Sequence, residues 1–231
     1  MKKLFLSILA LAVTVGTASA QVEIGLKVSP SINFLRTDAP STYRFTDGDS
    51  KVGFGGGLVV DYFFGENYAF GTGLVLTGKG GSYSYHQYQA IDPNDPLIPK
   101  GDTHKLGIQY LELPLTVKLF TNEIAPATRL YFQLGGSLAV PIGAKINGEK
   151  RYVDPQTNAE TTAISHVFFI DANALLGAGV EYQLGKSTKV FAGLSYHRGL
   201  INLDNYFEKK RDFRDVSIKN NVFALDLGLK F

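Results

Sequence analysis

Eight stretches of this chain keep a two-residue rhythm of apolar and non-apolar side chains, and that rhythm limits the fold more than any other property. Side chains two apart share one face of a β-strand, so each stretch reads as a strand with one apolar side. In the first, Val22, Ile24, Leu26 and Val28 alternate with Glu23, Gly25, Lys27 and Ser29. Val52, Phe54, Leu58, Val60, Tyr62 and Phe64 form a second apolar set, and Tyr68, Phe70, Leu74 and Leu76 a third. The fourth stretch, "YLELPLTVKLF" at 110–120, sets Leu111, Leu113, Leu115, Val117 and Leu119 against Glu112, Pro114, Thr116 and Lys118. Four more run from Leu130 to Ile142, Ile170 to Tyr182, Val190 to Tyr196 and Phe223 to Phe231. Each covers roughly the 9–11 residues that a tilted strand needs to cross a bilayer.

The links between the stretches alternate in length. Gly65–Asn67, Thr121–Thr128 and Leu184–Thr188 are short, whereas Leu35–Lys51, Gly81–Thr103, Ala144–Ala163 and Asp204–Lys219 are long and polar. Short turns at one end and long loops at the other predict an eight-stranded, antiparallel, up-and-down transmembrane β-barrel. Tyr62, Phe63, Phe64, Tyr68, Phe70, Phe120, Tyr182 and Phe231 cluster near the short turns, where an interfacial aromatic girdle belongs.

Residues 1–20 read as a cleaved signal peptide: Lys2 and Lys3, an apolar run from Leu4 to Val15, then Ala18-Ser19-Ala20. The barrel domain is then 21–231. Without Lys2 and Lys3 the 23 basic residues fall to 21, equal to the 21 acidic ones, so nothing points to nucleic acid as a partner. The chain has no cysteine, which excludes disulfides, thiolate metal sites and a lipid-modified N-terminal cysteine.

In a barrel of this size the non-apolar phase faces a lumen just wide enough to be filled by side chains. Glu23, Asp61, Glu181, Lys118, Arg129 and Lys230 lie near the short-turn ends of their strands, and Lys27, Glu112, Asp171, Asp226 and Lys79 lie further along. Acids and bases nearly balance, so a salt-bridged, plugged interior is expected over a conducting pore. A narrow channel for small solutes is the alternative.

No nucleotide-binding motif, metal-ligand spacing or cofactor signature appears, and the chain is read as non-enzymatic. His86 and His104 lie in a long loop without metal-site spacing. Ser165 and His166 are adjacent and point to opposite faces. Ser195 and His197 share the inward face, a better pair for a lipid-modifying enzyme, though a Ser/His pair at this spacing is a common accident. The loop "GSYSYHQYQAIDPNDPLIPKGDTHK" offers Tyr83, Tyr85 and Tyr88 either as an exposed recognition surface or as interfacial residues of an extended hairpin.

Four segments in order, "YLELPLTVKLF" (110–120), "DANALLGAGVEY" (171–182), "LSYHRGLINL" (194–203) and "NNVFALDLGLKF" (220–231), resemble the PorT-like outer-membrane β-barrel family of Bacteroidota. The resemblance implies an outer-membrane location and contact with outer-membrane lipid. It implies no activity, and the link of the name-giving member to protein secretion attaches to no residue of this chain. The terminal Phe231, preceded by Phe223, Leu225, Leu227 and Leu229, is similar to the C-terminal signal read by the barrel-assembly machinery.

One irregularity stands out. Leu106, Ile108 and Tyr110 place the apolar phase on even numbers, and from Leu111 it is odd. A one-residue slip predicts a β-bulge between Tyr110 and Pro114, which would also accommodate a proline that cannot join the ladder.

Overall fold

The computed structural model describes residues 22–85, 102–153, 159–211 and 213–231. Its eight long strands are β1 (Val22–Asp38), β2 (Lys51–Gly65), β3 (Tyr68–Tyr85), β4 (Asp102–Phe120), β5 (Thr128–Ile146), β6 (Asp171–Gln183), β7 (Lys189–Gly199) and β8 (Ser217–Lys230). Each pairs antiparallel with its neighbours in sequence, and β1 pairs with β8, so the sheet closes on itself. Closure removes the sheet edges, which is what permits a β-sheet to sit in hydrocarbon. The expected signal peptide, Tyr88 and His86 lie outside the described residues.

The apolar phases form the outer wall. Val22, Ile24, Leu26, Leu74, Leu76, Leu113, Leu115, Leu134, Leu194, Leu225 and Phe231 are exposed, while Glu23, Asp61, Glu112, Glu181 and Lys230 are buried inside. Phe64, Tyr68, Phe70 and Tyr182 face outward at the short-turn rim. Phe63 and Phe120, expected in the same girdle, point inward instead and pack with tilted rings 5.2 Å apart within a buried cluster with Tyr131 and Phe191. Their odd and even positions place them in the inward phase of β2 and β4, and the lumen here is wide enough to hold rings.

At the long-loop end the strands run well past the apolar belt, to 18 residues in β3 and 19 in β4 and β5. The connections fold back over the mouth. Tyr43, Phe45, Tyr152, Leu203, Tyr206, Phe207, Phe213 and Val216 from the loops join Leu35, Tyr83, Tyr85, Leu106, Ile108, Tyr110, Ile146 and Ile218 from the strands in one apolar cluster. A single α-helical turn, α1 (Phe207–Arg211), contributes Phe207, and Asp204 caps it by accepting from the Tyr206 and Phe207 amides at 3.0 and 3.1 Å.

This cluster explains the irregularity in β4 and overturns the expected bulge. Even-numbered residues face inward along the strand, from Leu106, Ile108 and Tyr110 to Glu112, Thr116 and Phe120. The pairing of β4 with β3 holds one register from Tyr85–Asp102 to Tyr68–Leu119, skipping only the positions around Pro114. Leu113 and Leu115 pair without interruption with Leu138 and Gly136 of β5. The apolar phase switches because the surroundings switch: the outer face of the lower half is an exposed apolar wall, and an apolar cluster lies inside the upper half.

The extra residue sits in the neighbouring strand. Tyr110 pairs with Pro141 and Gln109 with Gly143, so Ile142 of β5 is bulged out. As a result Val140 and Ile142 lie exposed on the outer wall, whereas Ala144 and Ile146 turn into the apolar cluster, all on even numbers. β4 meets the change of surroundings by changing residue type, and β5 meets it by a bulge.

Leu134 is 65% exposed near the middle of the β5 belt. Leu134→Arg is expected to cost about 2–4 kcal/mol of folding free energy in bilayers, read as a lowered urea midpoint for folding into vesicles, while Leu134→Ile leaves the midpoint nearly unchanged.

Candidate functional site

The lumen is ordered in layers. At the short-turn end Lys230 lies among three carboxylates: 2.7 Å from Asp61, bonded to Glu181, and 3.8 Å from Glu23. Lys118 reaches Asp61 at 2.7 Å, Arg129 reaches Glu181 at 2.9 Å, and Lys189 bonds Glu23 and lies 3.5 Å from Glu181. The aromatic layer supports the same cations. Arg129 lies 4.8 Å from the Phe120 ring centroid, Lys230 5.4 Å from those of Phe120 and Phe191, Lys118 5.8 Å from that of Tyr131. Cations over ring faces recover part of the hydration they lose inside the barrel.

Glycines set the space for these rings. A Cβ on Gly193 would lie 2.2 Å from the Tyr131 hydroxyl, and one on Gly228 would lie 2.5 Å from the Phe191 ring. Only the absent side chains let two large aromatics lie across so narrow a lumen.

In the middle layer Lys27 pairs with Asp226 at 3.0 Å, and Ser29 donates to the same carboxylate at 2.6 Å. Above it Glu112 receives Lys79 at 2.9 Å and the Thr77 hydroxyl at 2.9 Å, with His197 Nδ1 at 3.4 Å. Asp171 is completely buried and accepts from Asn220 Nδ2 at 3.2 Å, and no lysine, arginine or histidine among the described residues makes an ion pair with it.

All eleven charged residues named for the lumen point inward, and each finds its partner on another strand. Glu112 and Lys118, six residues apart on one face of β4, pair with Lys79 and Asp61 rather than with each other. Lys189 was missed in the sequence. It is the first residue of β7, two before the inward Phe191, so the same phase carried one step outward finds it.

Tyr83 and Tyr85, considered as an exposed recognition surface, are each only 7% exposed. They belong to the end of β3 and stack against Phe45 at 6.1 and 5.3 Å beneath the folded loops. His104 stacks on the same two rings, at 5.6 and 5.3 Å.

The Ser195–His197 pair is joined by Glu112: Ser195 Oγ lies 3.3 Å from His197 Nε2, in the order hydroxyl, imidazole, carboxylate. The cavity beside it, bounded by Lys27, Lys79, Glu112 and Asp226, measures about 30 Å³. That space holds about one water, and Ser195 is buried on the lumen side, away from the lipid. A larger recess of about 270 Å³ opens at the short-turn end between Glu123, Arg129, Glu181, Gln183 and Lys189.

The sequence profile of a family described as "Outer membrane protein beta-barrel domain" matches residues 17–205. No curated protein matches the chain in sequence. Among solved structures it is similar to neisserial surface protein A, at 10% identity and a TM-score of 0.45, over 92% of this chain and 98% of that one. It is similar to Ail, the attachment invasion locus protein of Yersinia pestis, at 14% identity and a TM-score of 0.43, over 91% and 99%. The outer membrane protein OprG of Pseudomonas aeruginosa gives 12% identity and a TM-score of 0.47, over 90% and 95%.

Lys230→Met leaves Asp61, Glu181 and Glu23 short of a shared cation and is expected to cost roughly 3–5 kcal/mol, the usual scale for breaking a buried pair from one side. Combining it with Glu181→Gln should restore part of the loss. Urea unfolding in detergent micelles measures both, and a double variant no more stable than the single one would contradict the pairing.

Proposed function

The chain belongs to the outer membrane protein β-barrel domain family, and from that premise we propose that it is a non-enzymatic integral outer-membrane protein with a lumen closed to solutes. Its long loops face the outside of the cell, and its role is structural or one of surface interaction. The observation that carries this reading is the filling of the lumen: salt-bridged layers from Lys230 to Glu112, then the apolar cluster of Leu35, Tyr110 and Phe207 across the long-loop mouth. A solute passing through would have to separate buried ion pairs, and breaking each one from one side costs roughly 3–5 kcal/mol.

The order of the four motifs supports the PorT-like, Bacteroidota-type branch as the finer assignment, and residues 1–20 have the features of an export signal removed after secretion. The exposed Phe231, whose backbone bonds Ile24 in both directions at 2.8 and 3.2 Å, supports recognition of the last strand by the barrel-assembly machinery. The sealed surroundings of Ser195 and His197 argue against a lipid-modifying enzyme, because an acyl ester in the membrane cannot reach an inward-facing hydroxyl.

In outer-membrane fractions the protein should migrate faster on a denaturing gel before boiling than after it. Planar bilayers containing it should show no conductance, either as wild type or as Lys27→Ala. Stepwise ion conductance in the wild type would refute the closed lumen. An altered membrane-lipid profile that reverts in His197→Ala cells would refute the non-enzymatic reading.

A further inference from the structure

Among the described residues, the basic side chains on the outer face of the strands are confined to one rim. At the short-turn end the outward positions of the strands are Val22, Phe64, Tyr68, Leu119, Tyr182 and Phe231, all uncharged. At the long-loop end they include Arg36, Lys105, Lys145, Arg198 and Lys219. Three of these fall together on adjacent strands. Arg36 of β1 is directly opposite Lys219 of β8, and Arg198 of β7 is opposite Asn221, two residues along β8 from Lys219. All three point outward, since the alternate neighbours Leu35, His197 and Ile218 are buried inside.

Like charges directly opposed on neighbouring strands are destabilising unless something negative lies between them. Among the described residues none of the three makes an ion pair; Arg36 Nη2 reaches across β8 to the Gly199 carbonyl at 3.5 Å. The nearest outward acid on these strands, Asp38, lies opposite Ser217, a step further from the apolar belt.

Immediately on the belt side of the three cations is an aromatic ledge. Phe223 stacks with Phe34 at 6.0 Å and with Tyr196 at 4.7 Å, and the Tyr196 hydroxyl donates to Asn221 at 3.3 Å. Beyond the ledge Ile32, Leu194 and Leu225 present a bare apolar wall. Aromatic rings mark the level where hydrocarbon gives way to headgroups. Cations placed one step above them sit where lipid phosphates lie, and arginine matches phosphate with paired hydrogen bonds.

We infer that Arg36, Arg198 and Lys219 clamp the phosphorylated headgroup of an anionic lipid, whose acyl chains lie on the β1–β8–β7 wall below. The inference rests on the outer-membrane reading above and goes beyond it by naming a specific lipid site on one side of the barrel. The bound phosphate supplies the negative charge that the Arg36–Lys219 pair lacks.

The test is native mass spectrometry of the full chain in detergent, titrated with diphosphorylated lipid A and, separately, with inorganic phosphate. Arg36→Gln/Arg198→Gln/Lys219→Gln is expected to bind lipid A roughly tenfold or more weakly than wild type, each cation near the headgroups having a several-fold effect. The control Lys105→Gln/Lys145→Gln/Lys150→Gln, which loses the same charge elsewhere at this end, should lose no more than about twofold. Equal affinity in the first variant, or an equal loss in the control, overturns the clamp. Displacement of lipid A by inorganic phosphate overturns the lipid as its ligand. Both variants keep heat-modifiable migration if folded. A wild-type chain that fails to float with lipid vesicles overturns the outer-membrane reading itself, whereas flotation with unaltered lipid A affinity in the clamp variant overturns only the clamp.

Discussion

A barrel wall is one residue thick, and each residue must suit what lies on its side of that wall. Along the lower part of each strand the outside is hydrocarbon and the inside is a narrow polar lumen. Above the belt the outside is water, and the inside is an apolar cluster roofed by the loops. The demand on each face therefore inverts part-way up the strand. Most features of this chain follow from how a given strand meets that inversion.

β4 and β5 meet it in opposite ways. β4 keeps its register and changes the residues, so that inward Tyr110 and Glu112 are successive members of one phase yet belong to different surroundings. β5 keeps its even-numbered apolar residues and shifts the backbone at Ile142. By alternation alone, β4 would contain a slip and β5 would be regular, the reverse of what the backbone does. Alternation reports which residues are apolar, and a bulge follows only if the surroundings stay the same. Pro114 needs no slip either, because the β3–β4 register resumes unchanged on both sides of it.

The same limit explains what else was legible. The phases of the eight stretches and the inward charges are periodic properties read from spacing, and closure of the sheet follows from strand number and the alternation of short and long connections. Partner choice is not local. Glu112 faces Lys79 on β3 and His197 on β7, and the stagger of the strands, which no single strand encodes, sets which side chains share a level. The burial of Tyr83 and Tyr85 depends on Phe45 and Phe207, which arrive from two different loops. The girdle assignment failed at Phe63 and Phe120 for a simpler reason: aromatic composition near the turns pointed outward, phase pointed inward, and phase was the better guide.

Filling the lumen also decides where this protein can meet other molecules. The four cations of the lowest layer outnumber its three carboxylates by one, and the upper layer holds Asp171 and Glu112 against Lys79. Charges so arranged hold the interior in one geometry, since each carboxylate loses its compensation if a neighbouring strand moves. An interior so constrained is poorly suited to opening. On the reading proposed above, recognition falls to the outer faces of the long loops and to the outer rim. At that rim an Arg36–Lys219 pair with no acid of its own, directly above Phe34, Phe223 and Tyr196, costs the barrel stability in isolation. In a membrane whose phosphates lie at the same level, that cost becomes an attraction, and one side of the barrel is distinguished from the rest.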